Sequence, residues 1–271
     1  MERGERILKH VDEDAAPAVQ KRMIERGITI DLNLSIERID EKEGGFAVTI
    51  TQNGETKTIE SEKVLLATGR IANLDGLNLD AAGVAYERHG VTVNAMLQSS
   101  QPHIFACGDC IDAPRFAHTA SYEAGIVVHN MFAPHPQKVD FDKNGWVLFS
   151  DPQVTQVGLD EATARKRGID VSTYSYDYAV DARAQIDKAE TGFLKFVVDN
   201  DNGIIVGITI LSEDAASLAG EAALIVARRL HAMDLLGVIH PHPTLSEAFG
   251  KVAQQIFFAS MMQKRGGGYG K

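Results

Sequence analysis

Residues 28–60 hold three runs in which apolar and polar positions alternate, and each break between runs is a Gly-Gly or an Asn-Gly pair. Residues 28–39, 46–52 and 57–60 read as strands, with turns at Gly44-Gly45 and Asn53-Gly54. Turns this short join only antiparallel neighbours, because parallel neighbours need a crossover of about a dozen residues. This part of the chain is therefore restricted to a set of hairpins. Upstream, residues 13–26 place Ala15, Val19 and Ile24 among charges, the pattern of an amphipathic helix ended by Gly27. Downstream, residues 64–68 form a short unbroken apolar run, as in a buried parallel strand.

Residues 70–103 read mostly as connection, with short extended pieces at Gly83-Val84 and Val91-Thr92-Val93. A second unit starts near Trp146. It offers strands at 154–158, 171–178, 193–199 and 204–211, and helices at 160–167, 214–230, 232–238 and 246–262. Asn202-Gly203 turns one strand into the next. Strands facing segregated helices make an α+β layer, with one apolar helix face left for a subunit contact. Gly266-Gly267-Gly268-Tyr269-Gly270 reads as a mobile tail. The formal net charge of −10 argues against nucleic acid and anionic membrane as partners. No apolar run approaches the roughly 18 residues of a spanning helix, and a soluble cytoplasmic protein is expected.

Chemistry is concentrated at three places. His242-Pro243-Thr244-Leu245-Ser246-Glu247 sets an imidazole five residues before a carboxylate, in a turn about to become a helix. A carboxylate that fixes the tautomer and favours the imidazolium is the usual company of a histidine acting as general base. Thr244-x-x-Glu247 also reads as a capping box ahead of Ala248, Phe249 and Val252, with His242 as a plain surface residue. The second place is Ile104-Phe105-Ala106-Cys107-Gly108-Asp109, read as an apolar strand ending in a turn. There glycine permits close approach, and Asp accepts a hydrogen bond from a ribityl or ribose hydroxyl. The third is Arg115-Phe116-Ala117-His118, opening a helix through Glu123, Ile126, Val127 and His129, whose free N–H groups suit a partial negative charge.

Cys107-Gly-Asp-Cys110 is a C-x-x-C, yet a zinc site needs about two further ligands and none is spaced for it. Two reduced, partly buried thiols are expected, and no metal. His10, His89, His103, His129, His135 and His231 show no ligand spacing and read as solvated.

In this order the motifs resemble the pyridine nucleotide–disulfide oxidoreductases, over essentially the whole chain. Val64-Leu65-Leu66-Ala67-Thr68-Gly69-Arg70 is similar to the strand leaving that family's NAD domain, and Gly108-Asp109 to its second flavin-binding segment. Asp151-Pro152-Gln153-Val154, Val157-Gly158-Leu159, Glu190-Thr191-Gly192-Phe193-Leu194-Lys195 and Gly207-Ile208 resemble its dimerisation domain. His240-x-His242-Pro-Thr-Leu-Ser-Glu247 resembles the catalytic dyad of the family's lipoamide branch.

The resemblance implies α/β plus α+β architecture: part of a two-dinucleotide-binding-domain flavoprotein with a C-terminal α+β dimerisation domain. Its segments are residues 1–69 (part of the NAD domain), 70–145 (second FAD segment) and 146–271 (dimerisation). It implies FAD and NAD as cofactors, and a homodimer in which the dyad faces the other subunit's disulfide. The substrate implied is a dithiol or disulfide, possibly a dihydrolipoyl group carried on a lipoyl domain. His242 would take the thiol proton and Glu247 would orient the ring. Gly108, Asp109, Arg115, Phe116, Ala117 and His118 would lie along FAD, and Glu2, Ile36 and Gly69 along NAD, where an acid at Glu2 favours NAD over its 2′-phosphate. His240 is left in a supporting role, and Arg183 matches a recurrent family arginine without a catalytic part.

The chain departs from the pattern at Ala72-Asn73, where the family has Pro-Asn, and at Ser99 or Ser100, where it has Thr. No G-x-G-x-x-G and no C-x-x-x-x-C occurs, so these 271 residues alone are expected to be inert. Other readings stay open: a metal- or disulfide-reducing branch, or a non-catalytic dimerisation fragment. A mercuric reductase is disfavoured because His242 is not Tyr and the C-terminus has no paired cysteines; a glutathione reductase is disfavoured by Glu2.

Overall fold

The computed structural model describes residues 1–266. The residues expected as a tail after Gly266 lie outside these. The chain forms two compact units, Met1–Leu65 together with the residues from Gly145 onward, and Leu66–Asn144. The first and third expected segments thus share a unit.

In the larger unit, β6 (Gly145–Leu148), β7 (Gln153–Gly158), β8 (Val171–Asp177), β9 (Phe193–Asp199) and β10 (Ile205–Ser212) form an antiparallel sheet in the order β6-β7-β10-β9-β8. The central position of β10 explains why nearly all of it is buried. One face carries Leu194, Phe196, Val198, Ile208 and Ile210, packed with α5 (Ala215–Ala227) and the start of α6 (Glu247–Gly266) through Ala222, Ile225, Phe249 and Val252. A register shift between Ile205 and Gly207 keeps Ile205 in the same cluster as Ile208. Two short helices, α3 (Glu161–Lys166) and α4 (Ala182–Asp187), are capped by Asp160 and Asp181.

The opposite sheet face is covered from the N-terminal end of the chain. Ala15, Ala16 and Val19 of α1 (Ala15–Glu25) join Val11 against Val154 and Leu211, with Trp146, Leu148 and Phe193 at the margin. Burial of this face also encloses a charge. Gln156, Thr209 and Lys195 are cross-strand neighbours on β7, β10 and β9, so their side chains stand in one row. Lys195 Nζ donates to Asp12 Oδ1 at 2.7 Å and Asp14 Oδ2 at 2.6 Å. Thr209 Oγ1 lies 2.7 Å from Gln156 Oε1 and 3.3 Å from Asp12 Oδ2. Burial alone would lower the Lys195 pKa, but the two aspartates outweigh it and hold it above the ordinary value.

The meander is present as β1 (Leu34–Lys42), β2 (Gly45–Gln52) and β3 (Glu55–Ser61), in that order and antiparallel. Asn53 and Gly54 have φ of 53° and 81°, the doubly left-handed pair of a type I′ hairpin turn. The first strand begins at Leu34, not residue 28. Residues 28–33 are spent on the approach, where Asn33 takes a left-handed φ and donates its N–H to Gly4 O.

Two strand expectations fail. Residues 64–68 form no strand; Val64 packs beneath the meander, but Leu65 is 90% exposed and Leu66 is also open. A parallel strand exists only through its neighbours, and no described residue pairs with this run. Residues 104–106 likewise contribute only an isolated bridge, Gln98 with Phe105, before Gly108.

The smaller unit holds the hairpin of β4 (Tyr86–Glu87) and β5 (Gly90–Val91) and the helix α2 (Ala117–Phe132). Val84, Val91, Leu97, Ile111 and Ile126 form its core. Gly90 is required there: its φ is 145°, and a Cβ would stand 2.7 Å from Cys110 O and Ile111. Among the described residues no helix is long and apolar enough to cross a membrane.

Candidate active site

The residues from Leu230 to the start of α6 run as a 3₁₀ turn (Ala232–Gly237), an irregular stretch that bends at His242-Pro243 and turns at Leu245-Ser246, and then the helix. His242 lies in that stretch with its side chain 69% exposed. Its Nδ1 is 3.0 Å from Glu247 Oε2 and 3.2 Å from Oε1. Glu247 is the first residue of α6, and its Oε2 also accepts the Thr244 N–H at 3.1 Å. The capping and dyad readings of this motif are thus both present in one carboxylate. The Thr244 hydroxyl does not complete the box; it donates to Pro241 O at 2.7 Å and lies 2.8 Å from Ser246 Oγ. Burial raises the Glu247 pKa, but the Thr244 N–H, the His242 ring and Lys251 outweigh it, so the carboxyl sits below its ordinary value. An ionised Glu247 at Nδ1 leaves Nε2 to face solvent, the arrangement needed to accept an external proton.

Sequence reading gave His240 a supporting role but missed its partner Glu221, and it missed Tyr178. Tyr178, fully buried in the main core, donates its hydroxyl to Leu245 O at 3.3 Å. His240, only 9% exposed, places Nε2 2.8 Å from Glu221 Oε1 on α5, and its ring stacks on Phe249 at 6.3 Å and 15°. A polar residue inside an apolar helix, as Glu221 is, was the available signal.

In the smaller unit, Gly108 opens a 3₁₀ turn (Gly108–Cys110) with φ of 75°. Its N–H donates to Glu123 Oε2 at 2.5 Å, and the Glu123 side chain is fully buried with Oε1 unpartnered. Burial first, then the Asp109 charge, raises the Glu123 pKa against the lowering effect of that N–H. Asp109 is open to solvent and pairs with Arg70 at 3.5 Å. Arg115 donates to Arg70 O at 3.0 Å and His89 O at 2.8 Å, while its Nε is buried without a partner. Phe116 and His118 stack at 5.3 Å, and Phe116 gives α2 no side-chain cap. The structure thus brings Gly108, Asp109 and Arg115 together with Arg70, at the meeting of the two motifs.

Cys107 and Cys110 are free, half-buried thiols. Burial, Glu123 and Cys110 in that order push the Cys107 thiol above its ordinary value, which disfavours the reactive thiolate. His129 departs from the solvated reading: it is half-buried, with Nε2 2.9 Å from His135 O. Of the residues assigned to NAD, Glu2 Oε1 accepts the Gly4 N–H at 2.8 Å. Ile36 sits where the β1 register shifts, and Gly69 belongs to the other unit with φ of 117°. Among the described residues no group of three His, Cys, Asp or Glu is placed to hold a metal ion.

The fold is that of a partial FAD/NAD-binding domain joined to a dimerisation domain. Residues 1–124 match the family model described as pyridine nucleotide-disulphide oxidoreductase, and residues 145–253 match that family's dimerisation domain. The chain belongs to the pyridine nucleotide-disulphide oxidoreductase family.

It is 36% identical to a dihydrolipoyl dehydrogenase of Geobacillus stearothermophilus, over 92% of this chain and 53% of that protein. It is 35% identical to a mercuric reductase of Lysinibacillus sphaericus, over 95% of this chain and 47% of that one. Identity alone therefore does not separate the two branches. The chain spans about half the length of the curated relatives it matches. Among solved structures, LpdA of Mycobacterium tuberculosis shares the fold at a TM-score of 0.87 and 22% identity, over 94% of this chain and 55% of that one. The HOCl-induced flavoprotein disulfide reductase RclA of Escherichia coli gives 0.82 and 25%, over 94% and 58%.

Proposed function

We propose that this chain supplies the C-terminal half of a flavin-dependent oxidoreductase that moves electrons between a dithiol, such as a dihydrolipoyl group, and NAD. The observation that carries the reading is the open His242 ring with Nδ1 against Glu247. His242 Nε2 takes the proton of the incoming thiol, releasing the thiolate that attacks a disulfide. Glu247 keeps Nε2 unprotonated beforehand and stabilises the imidazolium afterwards. A base so placed contributes about 10²–10⁴ in rate.

Asp109 fits the hydroxyls of a ribityl chain, and the orphan Arg115 Nε and the uncapped start of α2 fit an acceptor edge of the ring. Glu2 and Ile36 are the residues of the larger unit that we assign to NAD. When bound, FAD and NAD supply the two-electron relay from sulfur to nicotinamide. A twofold mate is expected on the face of α6 where Phe258 and Met262, four residues apart, are exposed. The 271 residues by themselves are expected to turn over nothing, and a cytoplasmic setting suits the free thiols.

The test is a chimera joining this chain to the N-terminal half of the Geobacillus stearothermophilus dihydrolipoyl dehydrogenase. It should be yellow and reduce NAD⁺ with dihydrolipoamide, and His242→Gln should keep the flavin and lose about 10²–10⁴ of the rate. A His242→Gln chimera as fast as its parent removes the base role.

A further inference from the structure

Two imidazole–carboxylate pairs occur within three residues of one another, and they differ in burial. The His242–Glu247 pair is open. In the His240–Glu221 pair the ring is covered, with the His240 side chain 9% exposed against 31% for Glu221, and Nε2 lies 2.8 Å from Glu221 Oε1. The two carboxylates come from different helices, Glu221 from the middle of α5 and Glu247 from the first turn of α6. The His240 ring also stacks on Phe249, two residues after Glu247 on the same helix. Gly250 completes the shelf: a Cβ there would stand 3.5 Å from His240 Nδ1. His240 is therefore fixed at once to α5 by a hydrogen bond and to α6 by its ring.

We propose that Glu221 is a positioning residue for His242: through His240 it clamps the connecting stretch onto both helices, so that His242 reaches Glu247 and the Thr244 N–H reaches the same carboxylate. The proposal rests on the dyad reading above but is measured without catalysis.

Three physical points support it. A hydrogen bond at 2.8 Å made by a ring this buried holds more firmly than one made in water, because the His240 side is shielded from competing solvent even though Glu221 is partly exposed. Only one residue, Pro241, separates the two histidines, and its ring restricts the backbone between them. The hydroxyl of the buried Tyr178 bonds Leu245 O at 3.3 Å on the far side of the dyad. The stretch is thus held at both ends while His242 itself remains free to meet a substrate.

The experiment uses the purified chain and two observables local to the dyad. These are the titration of the Glu247 side-chain carboxyl by carbon-13 NMR and hydrogen exchange of the Thr244 amide. Lys251 and Tyr176, the other titratable groups near Glu247, are unchanged in every variant. Glu221→Ala should move the Glu247 midpoint up by about half a unit and speed Thr244 exchange about fivefold. Glu221→Gln, which keeps an acceptor for His240, should restore both. His240→Asn, too short to span the gap, repeats the Ala result and serves as second variant if Glu221→Ala does not fold. Unchanged Glu247 titration and Thr244 exchange in a folded Glu221→Ala or His240→Asn protein would overturn the proposal. So would a Gln variant as perturbed as Ala. A dyad that shifts as expected while the His242→Gln chimera stays fast would refute the base role and leave the clamp standing.

Discussion

Replacing Lys195 by methionine tests how residues 8–19 are fastened to the sheet. Lys195 and Asp12 are 7% and 3% exposed, whereas Asp14 is largely in water. Without the ammonium, Asp12 keeps the Asp14 N–H on Oδ1 at 3.0 Å and the 3.3 Å contact with Thr209, itself closer to Gln156, and neither supplies a countercharge. Removing one partner of a buried ion pair costs about 3–5 kcal/mol, because the remaining charge stays desolvated. The open Asp14 pair adds little to that figure. Replacing both partners with apolar groups is often neutral, so Lys195→Met with Asp12→Leu should recover most of the loss. The assay is urea unfolding followed by the single tryptophan, Trp146, which borders the same cluster. Lys195→Met should lower the midpoint with little change in slope, and the double variant should return towards wild type. A single-variant loss below about 1 kcal/mol, or a double variant no better than the single, would refute the reasoning.

His242→Ala should raise the Glu247 carboxyl towards its ordinary value, read by carbon-13 titration, since the ring is one of the groups that depress it. In the wild type the stability this gives is present above about 4.5 and lost as pH falls through the depressed value. Glu123 works in the opposite sense. Its raised pKa makes the smaller unit relatively more stable below the ordinary carboxylate range and less so as pH rises through the shifted value, and Glu123→Gln should flatten that dependence in melts at pH 5 and 8. Cys107 should react with Ellman's reagent at pH 7 more slowly than a free model thiol, because its thiolate is disfavoured; equal rates would contradict the assigned environment. Gly90→Ala should destabilise the smaller unit by about 1–3 kcal/mol, measured by its thermal midpoint, because backbone occupies the Cβ position.

The elements legible in the sequence were those whose signal is local. The Asn53-Gly54 turn, the strand–helix order from 153 onward and α2 all follow from nearest-neighbour patterning, and their ends fall within a few residues of expectation. The failures share a cause. Residues 64–68 carry the composition of a buried strand, but pairing depends on neighbours that patterning cannot supply. The strand at Gly145–Leu148 was missed because four residues establish no period, and α4 was not read although α3, of the same length, was.

The site divides along the same line. His242 and Glu247 are five residues apart and could be read as a pair. Lys195 with Asp12 spans 183 residues and Glu221 with His240 spans 19, and each carboxylate or amine looks alone in its own segment. A lysine inside the apolar run at 193–198 and a glutamate inside the apolar α5 were the visible anomalies.

The direct measurement is the tautomer of His242, read from its two ring nitrogen-15 shifts in a long-range proton–nitrogen spectrum of the chain above neutral pH. A proton on Nδ1 and a pyridine-like Nε2 is the predicted result, since Glu247 faces Nδ1. A proton on Nε2, or two nitrogens averaging as in free imidazole, would contradict a base held ready by its carboxylate.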